Sequence, residues 1–425
     1  MMGISLLILF IVFLLSGIPI AVAMGFSSMA VCVLFNAYPT LAIVHKIVAG
    51  VDSYVLISIP FFILAGEIMN TGGITNRIFN FANLIVGKIP GGMGHTNVFA
   101  SIIFSGMSGS AVADTGGLGM IEMKAMTDKG YDKEFSAAVT CTSATIGPII
   151  PPSIPLVVFG AMAEVSIGSL FIAGIIPGIL MGLSLMAMIY YISVKRKYPT
   201  RDKIGVKNGL IITRKAILPM LSPVIIVGGI LTGIITPTEA AIVATVYAFI
   251  LSTAYGEMNL KELKRILFNT IINSATIIFI IGAATSFSWI LTVEGIPRLV
   301  TEFILSVTSN KYLILILLNV ILLVMGMFME GLSILTIIVP FLIPLIKAVG
   351  MNPVHMGIMV VLNVMIGLST PPVGMSLFVI NKIAKVNMNK LFKEVIPLII
   401  PLFIVLMLVT FIPEISMVLP TLILS

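Results

Sequence analysis

The chain has 425 residues, of which 59% are apolar and only 10% charged, with 24 Lys and Arg against 17 Asp and Glu for a net charge of +7. A soluble chain carries roughly a quarter charged residues, so this composition excludes a soluble enzyme and a nucleic-acid binder. At about 20 apolar residues per membrane-spanning helix, the apolar content allows roughly ten to twelve spans, and the chain reads as an all-α polytopic membrane protein.

In chain order, the N-terminus opens MMGISLLILF with no basic residue before the apolar run, which predicts a retained first helix and not a cleaved signal peptide. Residues 38–54 mix charges with apolar positions and predict a helix lying along the membrane interface; residues 255–269 read the same way. Residues 97–126 are apolar at both ends, but Ser105-Gly106-Met107-Ser108-Gly109-Ser110 interrupts them. This stretch has too little helix propensity to face lipid. Non-helical backbone at depth is tolerated only when buried in protein or lining a cavity. A re-entrant hairpin over about residues 95–126 is therefore predicted, in preference to two Gly-rich helices packed through small faces. A second interruption, Ile146-Gly147-Pro148-Ile149-Ile150-Pro151-Pro152, removes amide donors and expels the preceding residue from helical geometry. That predicts a broken helix over about residues 135–160.

Residues 195–215 hold eight Lys or Arg against one Asp and read as a linker between a first half, residues 1–194, and a second half, residues 216–425. Sliding the halves by 220 residues aligns 105–153 with 325–373 without a gap, with seven identities. Five are Gly or Pro, which fix backbone shape: Gly106 with Gly326, Gly130 with Gly350, Gly147 with Gly367, Pro151 with Pro371 and Pro152 with Pro372. The second half thus predicts a hairpin over about residues 315–347 and a broken helix over about residues 355–380. Equivalent loops differ in charge: residues 122–134 hold three Lys and residues 342–354 one. With the basic partner of each pair in the cytoplasm, the two halves form an inverted structural repeat.

Paired broken helices in such repeats point to a midplane transport site, where unwound carbonyls meet Na⁺ and half-helix N-termini face an anionic group. Glu67, Asp114, Glu239 and Glu330 lie in apolar sequence and are candidates for pairing, capping or coordination. Asp114 follows the first tip by about one turn, close enough to tune a cation site or cap a half-helix. Cys32 and Cys141 form no disulfide framework, and the three histidines no metal cluster. A Walker-type loop and a His-Glu-x-x-His motif are both missing from the sequence, so no enzymatic activity and no cofactor are predicted. A channel would want a continuous polar pathway, whereas the polar residues cluster at two symmetric spots, which favours a carrier.

Six strings carry a family resemblance: IPFFILAGEIMNTGGITNR from Ile59, GKIPGGMGHTNVFAS from Gly87, SGMSGSAVADT from Ser105, IGPIIPPS from Ile146, TPTEAA from Thr236 and IGLSTPPVG from Ile366. With them the chain resembles the large membrane subunit of tripartite ATP-independent periplasmic (TRAP) transporters. The resemblance implies an elevator-type ion-transporter fold in the bacterial inner membrane, driven by Na⁺. It implies two protein partners, a small membrane (Q) subunit and a periplasmic substrate-binding (P) protein, besides the lipid around it. With no domain before Met1, the small subunit is expected as a separate chain. Carried over from the family, one Na⁺ site would involve Ser105, Gly106, Ser108, Thr145 and Gly147, and the other Gly326, Met327, Gly367 and Thr370. Ser110, Asp114 and Ser369 would face the substrate, an organic acid of the sialic acid or C4-dicarboxylate class. A carrier working without a binding protein is the alternative.

Overall fold

The computed structural model describes residues 2–108, 111–201 and 204–423 and, at residues 105–108 and 113, the backbone alone. The described residues form helices and no strand. The first half runs α1 (Met2–Leu15), α2 (Ile20–Phe35), α3 (Thr40–Val51), α4 (Ser58–Thr71), α5 (Ile74–Val86), α6 (Gly92–Ser108), α7 (Ala111–Gly116), α8 (Leu118–Asp128), α9 (Lys133–Ser143), α10 (Ile154–Ala163) and α11 (Ile167–Arg196). The second runs α12 (Val206–Leu231), α13 (Pro237–Ala254), α14 (Leu260–Val293), α15 (Ile296–Val307), α16 (Lys311–Phe328), α17 (Gly331–Ala348), α18 (Pro353–Leu368), α19 (Met375–Ala384), α20 (Met388–Phe411) and α21 (Glu414–Ile423).

The backbone repeats where local chemistry constrains it. Left-handed residues recur 220 positions apart, Gly130 (φ 85°) with Gly350 (φ 59°) and Asn36 (φ 48°) with Gly256 (φ 71°). These are residue types that adopt positive φ at low cost. The peptide bonds Pro151–Pro152 and Pro371–Pro372 are both cis. Around them α9 stops at Ser143 and α10 resumes at Ile154, while α18 stops at Leu368 and α19 resumes at Met375.

Three readings change. Residues 255–269 are not a separate interfacial helix, because α14 continues through them for 34 residues, about 50 Å at 1.5 Å per residue. In the first half Asp52 and Ser53 part α3 from the 3-10 turn that leads into α4, whereas their equivalents, Ile272 and Asn273, remain inside α14. The basic stretch 195–215 is largely helical, with α11 ending at Arg196 and α12 starting at Val206. Arg196 there bridges Glu394 at 2.8 Å and Asp132 at 3.5 Å. Among the described residues eight helices are long and apolar enough to cross a membrane, below the ten to twelve that composition allows. Much of the apolar sequence lies in shorter helices such as α1–α3, α10, α18 and α19.

Two apolar cores result. The smaller joins α1–α3 to the distal part of α14 through residues such as Phe10, Met24 and Phe287. The larger holds α4, α5, the helix pairs α6/α8 and α16/α17, and the interrupted helices. Helix α13 packs on α4 through a hydroxyl ladder of period seven. Thr238 donates to the Tyr54 carbonyl at 3.1 Å, Thr245 to Phe61 at 2.8 Å and Ser252 to Ile68 at 3.5 Å. Seven residues return a side chain to the same helix face, and the intervening Ala240, Ala241, Ala244 and Ala248 are small enough for the backbones to approach.

Candidate functional site

A cavity of about 470 Å³ opens where both interrupted helices and both helix-pair tips converge. Its polar lining comes from three elements: Glu67 and Asn70 of α4, Asn273 and Thr276 of α14, and Glu330 and Ser333 at the start of α17. Ala111 and Val112 of α7, Pro148 of the first break, and Met365 and Leu368 at the end of α18 close the remaining sides. No Lys or Arg is among the lining residues, and residues 105–110 carry none in sequence.

Each break is held by its own hydrogen bonds, as freed backbone groups away from water require. In the first, the Ser153 hydroxyl donates to the Pro148 carbonyl and accepts from Leu156 N–H at 3.2 Å, which caps α10. In the second, Gly374, at φ 55°, donates its N–H to the Met327 carbonyl at 2.8 Å and so ties the chain after the break to the tip of α16. Glu330 caps α17, accepting from Ser333 N–H at 3.1 Å.

The expected second-half residues come together. A Cβ on Gly326 would meet Gly367 Cα at 2.9 Å, and one on Gly367 would meet Gly326 Cα at 2.6 Å, so α16 and α18 touch backbone to backbone. Thr370 donates its hydroxyl to the Ile366 carbonyl at 2.8 Å within the same turn. In the first half, Thr145 donates to Thr142 O at 2.6 Å, and the Asp114 carboxylate lies against Gly147, 2.6 Å from where a Cβ would stand. Ser105, Gly106 and Ser108 lie on the helical backbone of α6, but their side-chain surroundings are outside the described residues, as is Ser110 altogether. Ser369 and Asp114 do not line the cavity. The Ser369 hydroxyl donates instead to the Cys141 carbonyl at 3.0 Å, joining the second break to α9. Glu239 is not buried: it forms an exposed capping box with Thr236 at the start of α13.

Several polar residues were not singled out from sequence. Asn97, fully buried on α6, donates to Thr140 at 2.8 Å and accepts from Ser143 at 2.6 Å, clamping α6 to α9. Asn363 donates to the Asn319 side chain at 2.7 Å and its carbonyl at 2.9 Å, clamping α16 to α18. Ser143 and Asn363 are 220 residues apart, so the two halves use the same position for this clamp. Asn273 and Thr276 have no local motif, each being a lone polar residue in an apolar helix, and Asn70 lies in the string from Ile59 with nothing to mark it as a lining residue. Glu122, read from sequence as the edge of a loop, is buried on α8 with a hydrogen bond to Ser101 and Asp114 within electrostatic reach. Among the described residues no three His, Cys, Asp or Glu converge on a point where they would hold a metal ion. An alkali ion at the breaks would take carbonyls and hydroxyls, as hard cations do.

Residues 7–415 match the family model described as "Tripartite ATP-independent periplasmic transporter, DctM component". The sialic acid TRAP transporter large permease protein SiaM of Vibrio cholerae is 43% identical over 413 residues, 97% of each chain. The C4-dicarboxylate TRAP transporter large permease protein DctM of Pseudomonas aeruginosa is 38% identical over 399 residues, 94% of this chain and 93% of that one. The crystal structure of the Alcanivorax borkumensis YdaH transporter, described as having an unusual topology, superposes with a TM-score of 0.65 at 12% identity. It covers 89% of this chain and 88% of that one, a likeness of fold alone.

Proposed function

Because the chain belongs to the family of large permease subunits of tripartite ATP-independent periplasmic transporters, we propose that it takes up an organic acid across the bacterial inner membrane, coupled to Na⁺, by an elevator mechanism. The acid is of the sialic acid or C4-dicarboxylate class, in keeping with the relatives. A small membrane subunit and a periplasmic substrate-binding protein complete the transporter, the second delivering the acid.

The observation that carries this reading is the cavity enclosed by both helix-pair tips, both breaks and the long helices α4 and α14. The tips and breaks are internally bonded, through the Asn97 and Asn363 clamps and the Ser369–Cys141 bond. They act as one moving unit against a fixed wall of α4, α13 and α14, in which a hydroxyl ladder ties α13 to α4. In the bilayer α6–α8 and α16/α17 are the re-entrant hairpins, and the two halves lie in opposite senses.

The lining charge supports Na⁺ coupling. Glu67 and Glu330 face the cavity without a basic residue among the lining, so a substrate carboxylate would meet repulsion, which is weakly screened in an apolar interior. Cations bound first at the Thr145–Gly147 and Gly326–Gly367–Thr370 breaks supply the missing positive charge and order the two binding steps. Uptake of labelled sialic acid and C4-dicarboxylates into proteoliposomes, with and without a Na⁺ gradient and binding protein, tests this. Uptake is expected to require both and to rise sigmoidally with Na⁺. Full activity in Na⁺-free buffer under a proton gradient would overturn the coupling, and full activity without the binding protein would make the chain a stand-alone carrier.

A further inference from the structure

Helix α14 carries a polar strip that continues beyond the cavity. Asn273 and Thr276 line the cavity, and toward the start of the helix Asn269, Arg265 and Glu262 follow them. At about 100° per residue these five positions fall within a sector of about 80°, and Arg265 stands about 16 Å from Thr276 along the axis. Arg265, Asn273 and Thr276 are exposed and Asn269 is half-buried, so the strip is accessible along its length. The exposed apolar residues Phe268, Ile271 and Phe279 lie on a different side of the helix. Polar and charged side chains inside a membrane face the protein interior or a water-filled cavity, which separates this strip from the lipid face. Lys261, Lys264 and Arg265 mark this end of α14 as cytoplasmic.

The strip is tied to the cavity wall on α4. Asn269 donates a hydrogen bond to the Glu67 carboxylate, and Arg265 lies within electrostatic reach of the same group. Arg265 also bridges Glu262 at 2.6 Å with its own side chain 60% exposed, and an exposed pair of this kind is weak enough for an incoming carboxylate to displace. The cavity lining holds Glu67 and Glu330 and no Lys or Arg, so an anion moving along the strip passes from repelling carboxylates to a guanidinium. The fold does not require such a strip: the positions 220 residues earlier are Ala42, His45, Ala49, Ser53 and Leu56, without its carboxamides or its guanidinium. Building on the transport reading above, we propose that this face of α14 is the route by which the substrate carboxylate leaves the cavity for the cytoplasm, with Arg265 as the positioning residue that receives it.

The test uses proteoliposomes of the chain with its small membrane subunit, a Na⁺ gradient, and binding protein outside only, so that molecules of one orientation report. Labelled sialic acid or succinate, whichever the wild-type chain takes up, is supplied outside, and the same acid unlabelled is loaded inside at increasing concentration. The internal concentration that gives half its effect on uptake reads the cytoplasmic face. Arg265→Gln is expected to raise that concentration about threefold to fivefold while the external half-saturation and the Na⁺ dependence stay as in wild type. Arg265→Lys is expected to restore most of the loss, and Glu262→Gln, which frees the guanidinium, to lower the concentration below wild type. Lys264→Gln, on the same turn but off the strip, is expected to change nothing; an effect equal to that of Arg265→Gln would reduce the result to general surface charge and overturn the proposal. Unchanged internal half-effect in Arg265→Gln, or equal losses on both faces, would overturn it as well. Failure of Arg265→Gln to co-purify with the small subunit would assign the strip to that interface, again overturning it. A wild-type chain that takes up neither acid would overturn the transport reading and this inference with it, an outcome distinct from active wild type with an unaffected variant.

Discussion

Substituting Gly367 by Ala tests whether the contact between α16 and α18 sets the geometry of the second break. The added methyl would stand 2.6 Å from Gly326 Cα, 2.9 Å from its carbonyl carbon and 3.2 Å from the Leu323 carbonyl oxygen. Ordinary carbon contacts lie at roughly 3.5–4.0 Å, so the helices must separate by about 1 Å, and every offending atom is backbone that no rotamer change can move. Overpacking of this kind costs roughly 1–3 kcal/mol. Because the displaced residues flank the break, that cost falls on the Na⁺-loaded state, and the Na⁺ needed for half-maximal uptake rises about fivefold to hundredfold. Gly147→Ala is the matched control. Its first contact is Asp114 Oδ2 at 2.6 Å, a side-chain atom, and the nearest backbone atom, the Ala144 carbonyl oxygen, stands 3.3 Å away, so a smaller rise is expected. Thermal unfolding of the purified variants together with Na⁺ titration of uptake reads both. A Gly367→Ala protein with wild-type melting and Na⁺ dependence, or a Gly147→Ala protein more impaired than it, would refute the reasoning.

Ser108→Ala and Thr370→Ala are each expected to remove one oxygen from a dehydrated cation, a loss of roughly 1.5–3 kcal/mol, and to raise the Na⁺ requirement about tenfold to hundredfold while leaving docking of the binding protein intact. Normal Na⁺ dependence in both, at wild-type expression, would move the ion sites elsewhere. Cysteines placed at Lys129 and Gly350 are expected to label from opposite sides of the membrane, the first from the cytoplasm; labelling from one side would sink the inverted repeat. Replacing Thr238 and Thr245 by Val removes two rungs between α13 and α4. At about 0.6 kcal/mol for an average interhelical hydrogen bond in a membrane, the pair is expected to lower thermal stability by roughly 1 kcal/mol without changing Na⁺ affinity. A changed Na⁺ affinity would show that this wall is not independent of the ion sites.

The all-helical class and the interruptions at the tandem prolines were legible in the sequence because the residues responsible act on their own backbone. Tandem prolines stop a helix wherever they stand, and Gly130 and Gly350 allow a left-handed turn without help from neighbours. Where composition could continue either way, the sequence was less informative: Asp52-Ser53 against Ile272-Asn273 is a small local difference for an interruption before α4 and an unbroken α14.

The site belongs to the other category. Gly326 and Gly367 are recognisable as glycines, but only packing brings them into backbone contact from positions 41 apart in the chain. Ser369 is a substrate candidate through the family resemblance, and that its hydroxyl donates to the Cys141 carbonyl of the other half is visible only in the packed structure. Asn70, Asn273 and Glu330 reach one cavity from three helices or their ends, and each is only an isolated polar residue in its own segment. The sequence by itself determined where the backbone must bend, because φ/ψ preferences and missing donors are properties of single residues. Which side chains meet, and which hydroxyls stay free for an ion or a substrate, was decided by the tertiary structure, because pairing depends on how segments hundreds of residues apart are packed against one another.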